Sequence, residues 1–183
     1  MKHIFTIFLL SLSLSSMTIY DIKLKEAKTS KEVELNDYKG KVIMLVNTAS
    51  LCGFTKQYAA MQKVWGKYRS QNFILIAIPT NDFGSQEPGG NKEISNFCEV
   101  NFGIDFIITE KITSKGRNKH PIFQLISDEF SLGAGPLWNF YKYIFSSTGQ
   151  PIAWFTSITE PDSDRITEIL EESLLPQIDK KEK

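Results

Sequence analysis

The chain has 183 residues, 42% hydrophobic and 23% charged, which suits one folded domain with its own core. Lys plus Arg and Asp plus Glu both number 21, so no basic surplus exists to neutralise phosphates, and a nucleic-acid binder is excluded. Two cysteines and two histidines, none at metal-ligand spacing, argue against a metal site and against a serine or metal hydrolase.

In chain order, Met1-Lys2-His3 and the apolar run Ile4 to Leu14, followed by Ser15-Ser16, predict a signal peptide over residues 1–18. The domain then runs over 19–183. The apolar run is too short to span a bilayer comfortably, so stable membrane insertion is not expected. A secreted or periplasmic location follows, with a cytoplasmic one as the alternative. Tyr20 to Lys25 and Glu32 to Leu35 read as short strands. Val42 to Val46 is a continuous apolar run, as in a strand buried on both faces. Tyr58, Met61, Trp65 and Tyr68 then recur at helical spacing from about Lys56 to Arg69. Phe73 to Ile78 is a second buried strand, stopped by Pro79, and Asn81 to Gly90 is a loop. Asn91 is the predicted cap of a helix that Gly103 ends. Pro121 to Ser127 reads as a helix, and Phe140 to Phe145 and Ile152 to Phe155 as strands. Pro161 is the predicted start of a last helix with a stripe at Ile166, Ile169 and Leu170. The charged tail around Lys180, Lys181 and Lys183 reads as frayed and solvated. The sum is an α/β chain with a mixed central sheet flanked by helices, the thioredoxin-like arrangement.

Cys52 falls just past the end of a buried strand and just before a helix. Sites gather at the carboxyl ends of strands, and a helix N-terminus offers unpaired N–H groups that favour an anionic sulfur. Three readings stay open on the residues alone: a reactive thiolate, a small buried hydrophobe, and half of a static disulfide with Cys98.

Three segments carry a resemblance. Asn47-Thr48-Ala49-Ser50-Leu51-Cys52-Gly53-Phe54-Thr55 is similar to the active-site segment of the glutathione peroxidase family. Pro79-Thr80-Asn81-Asp82-Phe83-Gly84-Ser85-Gln86-Glu87-Pro88-Gly89 resembles the family's second signature, and Trp138-Asn139-Phe140 its Trp-Asn-Phe motif. All three occur in family order, and the likeness runs from about Ile19 to Leu175.

The resemblance implies a catalytic set of Cys52, Gln86, Trp138 and Asn139, with Cys98 as the resolving thiol of the thioredoxin-dependent members. Gln86, Trp138 and Asn139 supply neutral N–H donors suited to a thiolate and to peroxide oxygens. It also implies a Cys52 sulfenic acid, a Cys52–Cys98 disulfide and unwinding of the helix over Asn91 to Phe102. No cofactor and no metal are expected. The co-substrate would be a thioredoxin-like reductant, with glutathione the weaker candidate. Departures occur at Thr80, Asp82, Ile107, Leu137 and Trp154, where relatives often carry Cys, Gln, Pro, Lys and Arg. The last two remove positive charge and weigh against an anionic donor. The short segment from Asp128 to Leu137 implies a monomer with a site open to lipid hydroperoxides as well as hydrogen peroxide. The alternative in another class is a peroxide sensor that relays oxidation to a partner protein.

Overall fold

Residues 17–130 and 133–175 are described by a computed structural model. Apart from Met17 and Thr18, the predicted leader lies outside the described residues, as does the charged C-terminal tail. Lys23–Lys25 (β1) and Glu32–Glu34 (β2) pair antiparallel in a small sheet of their own. The main sheet has the order β5-β4-β3-β6-β7. It is built from Val42–Thr48 (β3), Phe73–Pro79 (β4), Ile107–Ile108 (β5), Lys142–Phe145 (β6) and Pro151–Phe155 (β7). β3 runs parallel to β4, and β4 to β5, whereas β6 lies antiparallel to both β3 and β7. The thioredoxin-like arrangement with a mixed sheet is therefore the observed one.

Alternation along the strands explains why β3 and β4 read as unbroken apolar runs. Successive side chains point to opposite faces, and both faces are covered. Val42, Met44 and Val46 pack with Gln57–Tyr68 (α1), Asn91–Phe102 (α2) and Asp164–Leu174 (α4) through Met61, Val64, Ile94, Ile166 and Leu170. Ile43 and Leu45 pack the other way, against Pro121–Glu129 (α3) and the N-terminal residues Ile19, Ile22 and Leu24. Burying each such side chain contributes about 1.5–3 kcal/mol, so both layers hold the sheet rigid.

Several boundaries depart from the sequence reading. The strand predicted from Tyr20 is a 3-10 turn over Ile19–Asp21, and β1 begins only at Lys23. Its Tyr20 hydroxyl donates to Ser147 O at 2.8 Å and holds the β6–β7 hairpin. There Gly149 sits at φ +80, and a Cβ would come within 2.6 Å of the Tyr20 ring. Pro79 does not stop β4 early, because it is the last residue in register, opposite Thr48. Gly90, not Asn91, caps α2, and Glu93 accepts from its N–H. The Asn91 side chain instead accepts from Lys111 N at 2.8 Å. Gly103 ends α2 in the left-handed conformation, as expected. Pro161 precedes α4 by a turn, and Ser163 takes the cap position. β5 went unforeseen, since two residues carry no periodicity.

Candidate active site

The carboxyl end of β3 delivers Cys52 into a tight turn that winds into α1. Thr55 N donates to Cys52 O at 3.0 Å, and Gln57 N to Phe54 O at 2.9 Å, so helical winding begins before α1 proper. The Thr55 hydroxyl accepts from Cys52 N at 3.0 Å and donates to Ala49 O at 2.9 Å, which staples the turn. Phe54 N points at the Cys52 sulfur, 3.5 Å away. Cys52 is 8% exposed, so its sulfur opens onto a narrow mouth.

The β4–α2 loop comes next to it. Leu51 N donates to Gln86 O at 3.0 Å, tying the cysteine turn to that loop. Ser85 and Gly84 both adopt positive φ, 53° and 66°, which reverses the chain just before Gln86. A Cβ on Gly84 would meet the Trp138 ring at 3.4 Å and the Gln86 side chain at 3.5 Å, ordinary contacts, so it is the φ of +66° that favours glycine.

Trp138 and Asn139 enter on the approach to β6. Phe140, at φ +64, turns the chain sharply after Asn139, an uncommon conformation for a bulky residue. Asn47 of β3 over-determines this bend. Its Nδ2 donates to Trp138 O at 2.9 Å, its Oδ1 accepts from Tyr141 N at 2.9 Å, and its backbone O accepts from Phe140 N at 2.6 Å. The Trp138 ring is 40% exposed and packs on Phe83 at 6.3 Å between centroids. Asn139 is fully buried, and its Nδ2 donates to Gln86 Oε1 at 2.9 Å. Gln86 accepts through its oxygen, which leaves its own amide N–H groups out of that bond. The structure thus brings Gln86, Trp138 and Asn139 into one cluster, joined to the Cys52 turn through Leu51.

Cys98 lies apart, on the inward face of α2, wholly buried and free. Burial above all pushes its thiol up to about 12, with the Tyr58 hydroxyl opposing the rise and the Glu87 charge adding to it. Beside it stands the buried Tyr58, whose hydroxyl approaches the Cys98 sulfur and Thr48. Cys52 is likewise a free cysteine.

Residues given no role from sequence complete the frame. Lys142 is buried, and its Nζ donates to Thr159 O at 2.6 Å and Thr156 O at 3.3 Å, with Ser157 O at 3.5 Å. Burial pulls this ammonium down to about 7. The β7–α4 loop it holds sends the Ser157 hydroxyl to Asn139 O at 2.6 Å and accepts Gln57 Nε2 on Ser157 O at 2.7 Å. A lysine inside an apolar-flanked strand was the available signal for it. Among the described residues, no group of three or more His, Cys, Asp and Glu side chains could hold a metal ion. His120 caps α3, accepting from Ile122 N at 3.2 Å.

A cysteine without a Cys-x-x-Cys partner, at the carboxyl edge of a thioredoxin-like sheet beside clustered neutral donors, defines a thiol peroxidase class. The family model for glutathione peroxidase matches residues 19–127, and the chain belongs to that family. It is 39% identical over 145 residues to the glutathione peroxidase-like peroxiredoxin gpx1 of Schizosaccharomyces pombe, covering 78% of this chain and 91% of that one. It is also 39% identical to the hydroperoxy fatty acid reductase gpx1 of Synechocystis, over 79% of this chain and 90% of that one. The crystal structure of Trgpx in apo form superposes with a TM-score of 0.70 at 30% identity, covering 87% and 97% of the two chains. A Chlorobium tepidum thiol:disulfide interchange protein shares the fold alone, at 15% identity and TM-score 0.63 over 84% and 92% of the two chains. The chain is accordingly a peroxidase enzyme acting on hydroperoxides.

Proposed function

We propose that Cys52 is the attacking sulfur, that Gln86, Trp138 and Asn139 stabilise its thiolate and the peroxide oxygens, and that Cys98 resolves the product. The Cys52 thiolate attacks one peroxide oxygen, the O–O bond breaks, and the departing oxygen takes a proton to leave as water or an alcohol. Cys52 then carries a sulfenic acid. The Cys98 sulfur attacks it, water leaves, and a dithiol protein of the thioredoxin type reduces the disulfide by exchange. The observation that carries this reading is the Asn139-to-Gln86 hydrogen bond at 2.9 Å together with the Leu51-to-Gln86 bond at 3.0 Å. Those two contacts orient the Gln86 N–H groups and anchor them to the cysteine turn.

Cys98 faces the core, so closing the disulfide requires α2 to unwind from its glycine-flanked ends. The buried thiol also makes a poor nucleophile until that happens. Glutathione is the weaker donor, since Leu137 and Trp154 offer no charge to an anionic thiol. The related hydroperoxy fatty acid reductase supports lipid hydroperoxides as substrates beside hydrogen peroxide. Export, a donor in the same compartment and a monomeric state belong to the same proposal.

The test is a coupled assay with thioredoxin or glutathione as donor and hydrogen peroxide or a lipid hydroperoxide as acceptor. Cys52→Ser should consume no peroxide. Cys98→Ser should consume one equivalent and stall. Sustained thioredoxin-driven turnover by Cys98→Ser would remove Cys98 from the cycle. A need for a third protein would favour a relay over an enzyme.

A further inference from the structure

Resolution by Cys98 needs a destination for its proton, and one buried carboxyl stands beside it. Glu87 follows Gln86 directly and is 1% exposed. No hydrogen bond of ordinary geometry reaches its Oε2 or the buried hydroxyls of Ser50, Thr48 and Tyr58, although Ser50 approaches the Glu87 carboxyl and Tyr58 approaches Thr48 and Cys98. Such a concentration of loosely paired buried polar atoms is unusual and asks for a purpose. Ser50, two residues before Cys52, is the neighbour that most favours the ionised carboxyl, and the Glu87 charge acts on both Cys98 and Tyr58. Glu87 therefore sits between the two cysteines' segments.

Its place there is fixed. Glu87 N donates to Asn81 Oδ1 at 2.8 Å. Lys111 Nζ grips the Glu87 and Gly89 carbonyls at 3.0 and 2.8 Å, so its ammonium is occupied by the loop backbone. Glu93, the other carboxylate nearby, is held by Gly90 N at 2.8 Å. When α2 loosens beyond Asn91, the loop carrying Glu87 stays bound to the Cys52 turn through Leu51 N and Gln86 O. Between that turn and α2 runs a groove of about 180 Å³ lined by Ser50, Leu51, Glu87, Pro88, Ile94 and Phe97. Glu87 thus lines the groove that separates the Cys52 turn from the helix carrying Cys98.

We propose that Glu87 accepts the Cys98 proton during resolution and returns it to the hydroxide that leaves Cys52; this rests on Cys98 being the resolving thiol. The Cys98 S–H bond breaks and its proton joins a Glu87 oxygen. The freed electron pair forms the S–S bond as the S–O bond of the sulfenic acid breaks, and the departing hydroxide takes the proton from Glu87 as water. The sulfenic acid is the oxidant, and Glu87 ends ionised, as it began.

Electrostatics explain why such an acceptor is needed. A thiol held at about 12 is ionised in only about one molecule in 10⁵ at neutral pH. Burial raises the Glu87 carboxyl above its ordinary range, while Ser50 and then Lys111 oppose that rise. The groups facing Glu87 are Tyr58, Cys98, Lys111 and Glu93; burial drives Tyr58 and Cys98 upward, and because Lys142 titrates near 7, the step is assigned to Glu87 by its loss in Glu87→Gln.

The experiment mixes reduced full-length protein with one equivalent of hydrogen peroxide at pH 5 to 8. Disulfide is read by acid quench and mass spectrometry, sulfenic acid by dimedone capture. In the unmodified protein, disulfide closure should speed up with pH through the raised Glu87 titration. In Glu87→Gln, closure should slow at least tenfold relative to Cys52 oxidation, lose that pH step and accumulate sulfenic acid. Glu87→Asp should keep the step at an intermediate rate. A Glu87→Gln protein that closes its disulfide at the unmodified rate, or more slowly with the same pH profile, overturns the proposal. If the unmodified protein forms no Cys52–Cys98 disulfide at all, the resolving role itself fails, which is a separate and recognisable result.

Discussion

Replacing Asn47 with alanine separates positioning from packing. The Asn47 side chain is buried and holds two backbone groups, Trp138 O and Tyr141 N, each at 2.9 Å. Alanine leaves both groups buried without a partner, at about 1–3 kcal/mol each. The expected loss is about 2–6 kcal/mol, out of the roughly 5–15 kcal/mol that stabilises a domain. The variant should fold, with a melting temperature roughly 4–24 °C lower. The bend at Phe140 would then keep only its backbone bonds to residue 47 and the Ser157 bond to Asn139 O, and Trp138 and Asn139 would drift from the cysteine turn. Misplacing a group by about 1 Å can cost roughly a hundredfold. We expect the second-order rate constant for Cys52 oxidation, measured by stopped-flow fluorescence, to fall at least about tenfold, equivalent to about 1.4 kcal/mol. A protein that melts lower by this amount yet oxidises within about twofold of the unmodified rate would refute the clamp.

Three further outcomes follow from the same frame. Trp138→Phe should slow Cys52 oxidation about tenfold or more by removing an N–H, while stability measured in urea moves by less than about 1 kcal/mol, since the ring is 40% exposed. Lys142 titrates near 7 in the folded chain because burial disfavours its charge, against 10.5 ordinarily. The unfolded chain therefore binds more protons between those values, so this residue's share of stability rises with pH by up to about 1.4 kcal/mol per unit. Lys142→Met should remove that slope from a series of urea melts over the same interval. Gly149→Ala should lower stability by roughly 1–3 kcal/mol in thermal melts, because φ is +80 and the new Cβ would meet the Tyr20 ring.

The sheet and the cysteine turn were legible because their signals are local. β3 and β4 announce themselves through the apolar runs Val42 to Val46 and Phe73 to Ile78, which lie within seven-residue strands buried along their whole length, and Cys52 sits in the turn that follows β3. Gln86, Trp138 and Asn139 were legible only through a family pattern, since no local rule says that residues so far apart in sequence meet. The clamp by Asn47, the lysine under the β7–α4 loop and the buried Glu87 were not legible. Each depends on which backbone carbonyls and amides the tertiary fold leaves over, and composition carries no record of those. The misplaced starts of α2 and α4 have a related cause. Asn91 and Pro161 suit a helix start intrinsically, but Asn91 is drawn into a bond with Lys111, and the turn at 161–163 hands the cap to Ser163.

The left-handed residues Ser85 and Phe140 bear on how this thiol behaves during biosynthesis. Neither stretch would hold that conformation as a free peptide, since each costs about 1–3 kcal/mol and persists only when its surroundings impose it. Their surroundings are contributed by β3, β4 and the β7–α4 loop together, the last of which emerges late from the ribosome. A nascent chain therefore carries Cys52 before Gln86, Trp138 and Asn139 have gathered, and the assembly around it matures only once the C-terminal third has docked.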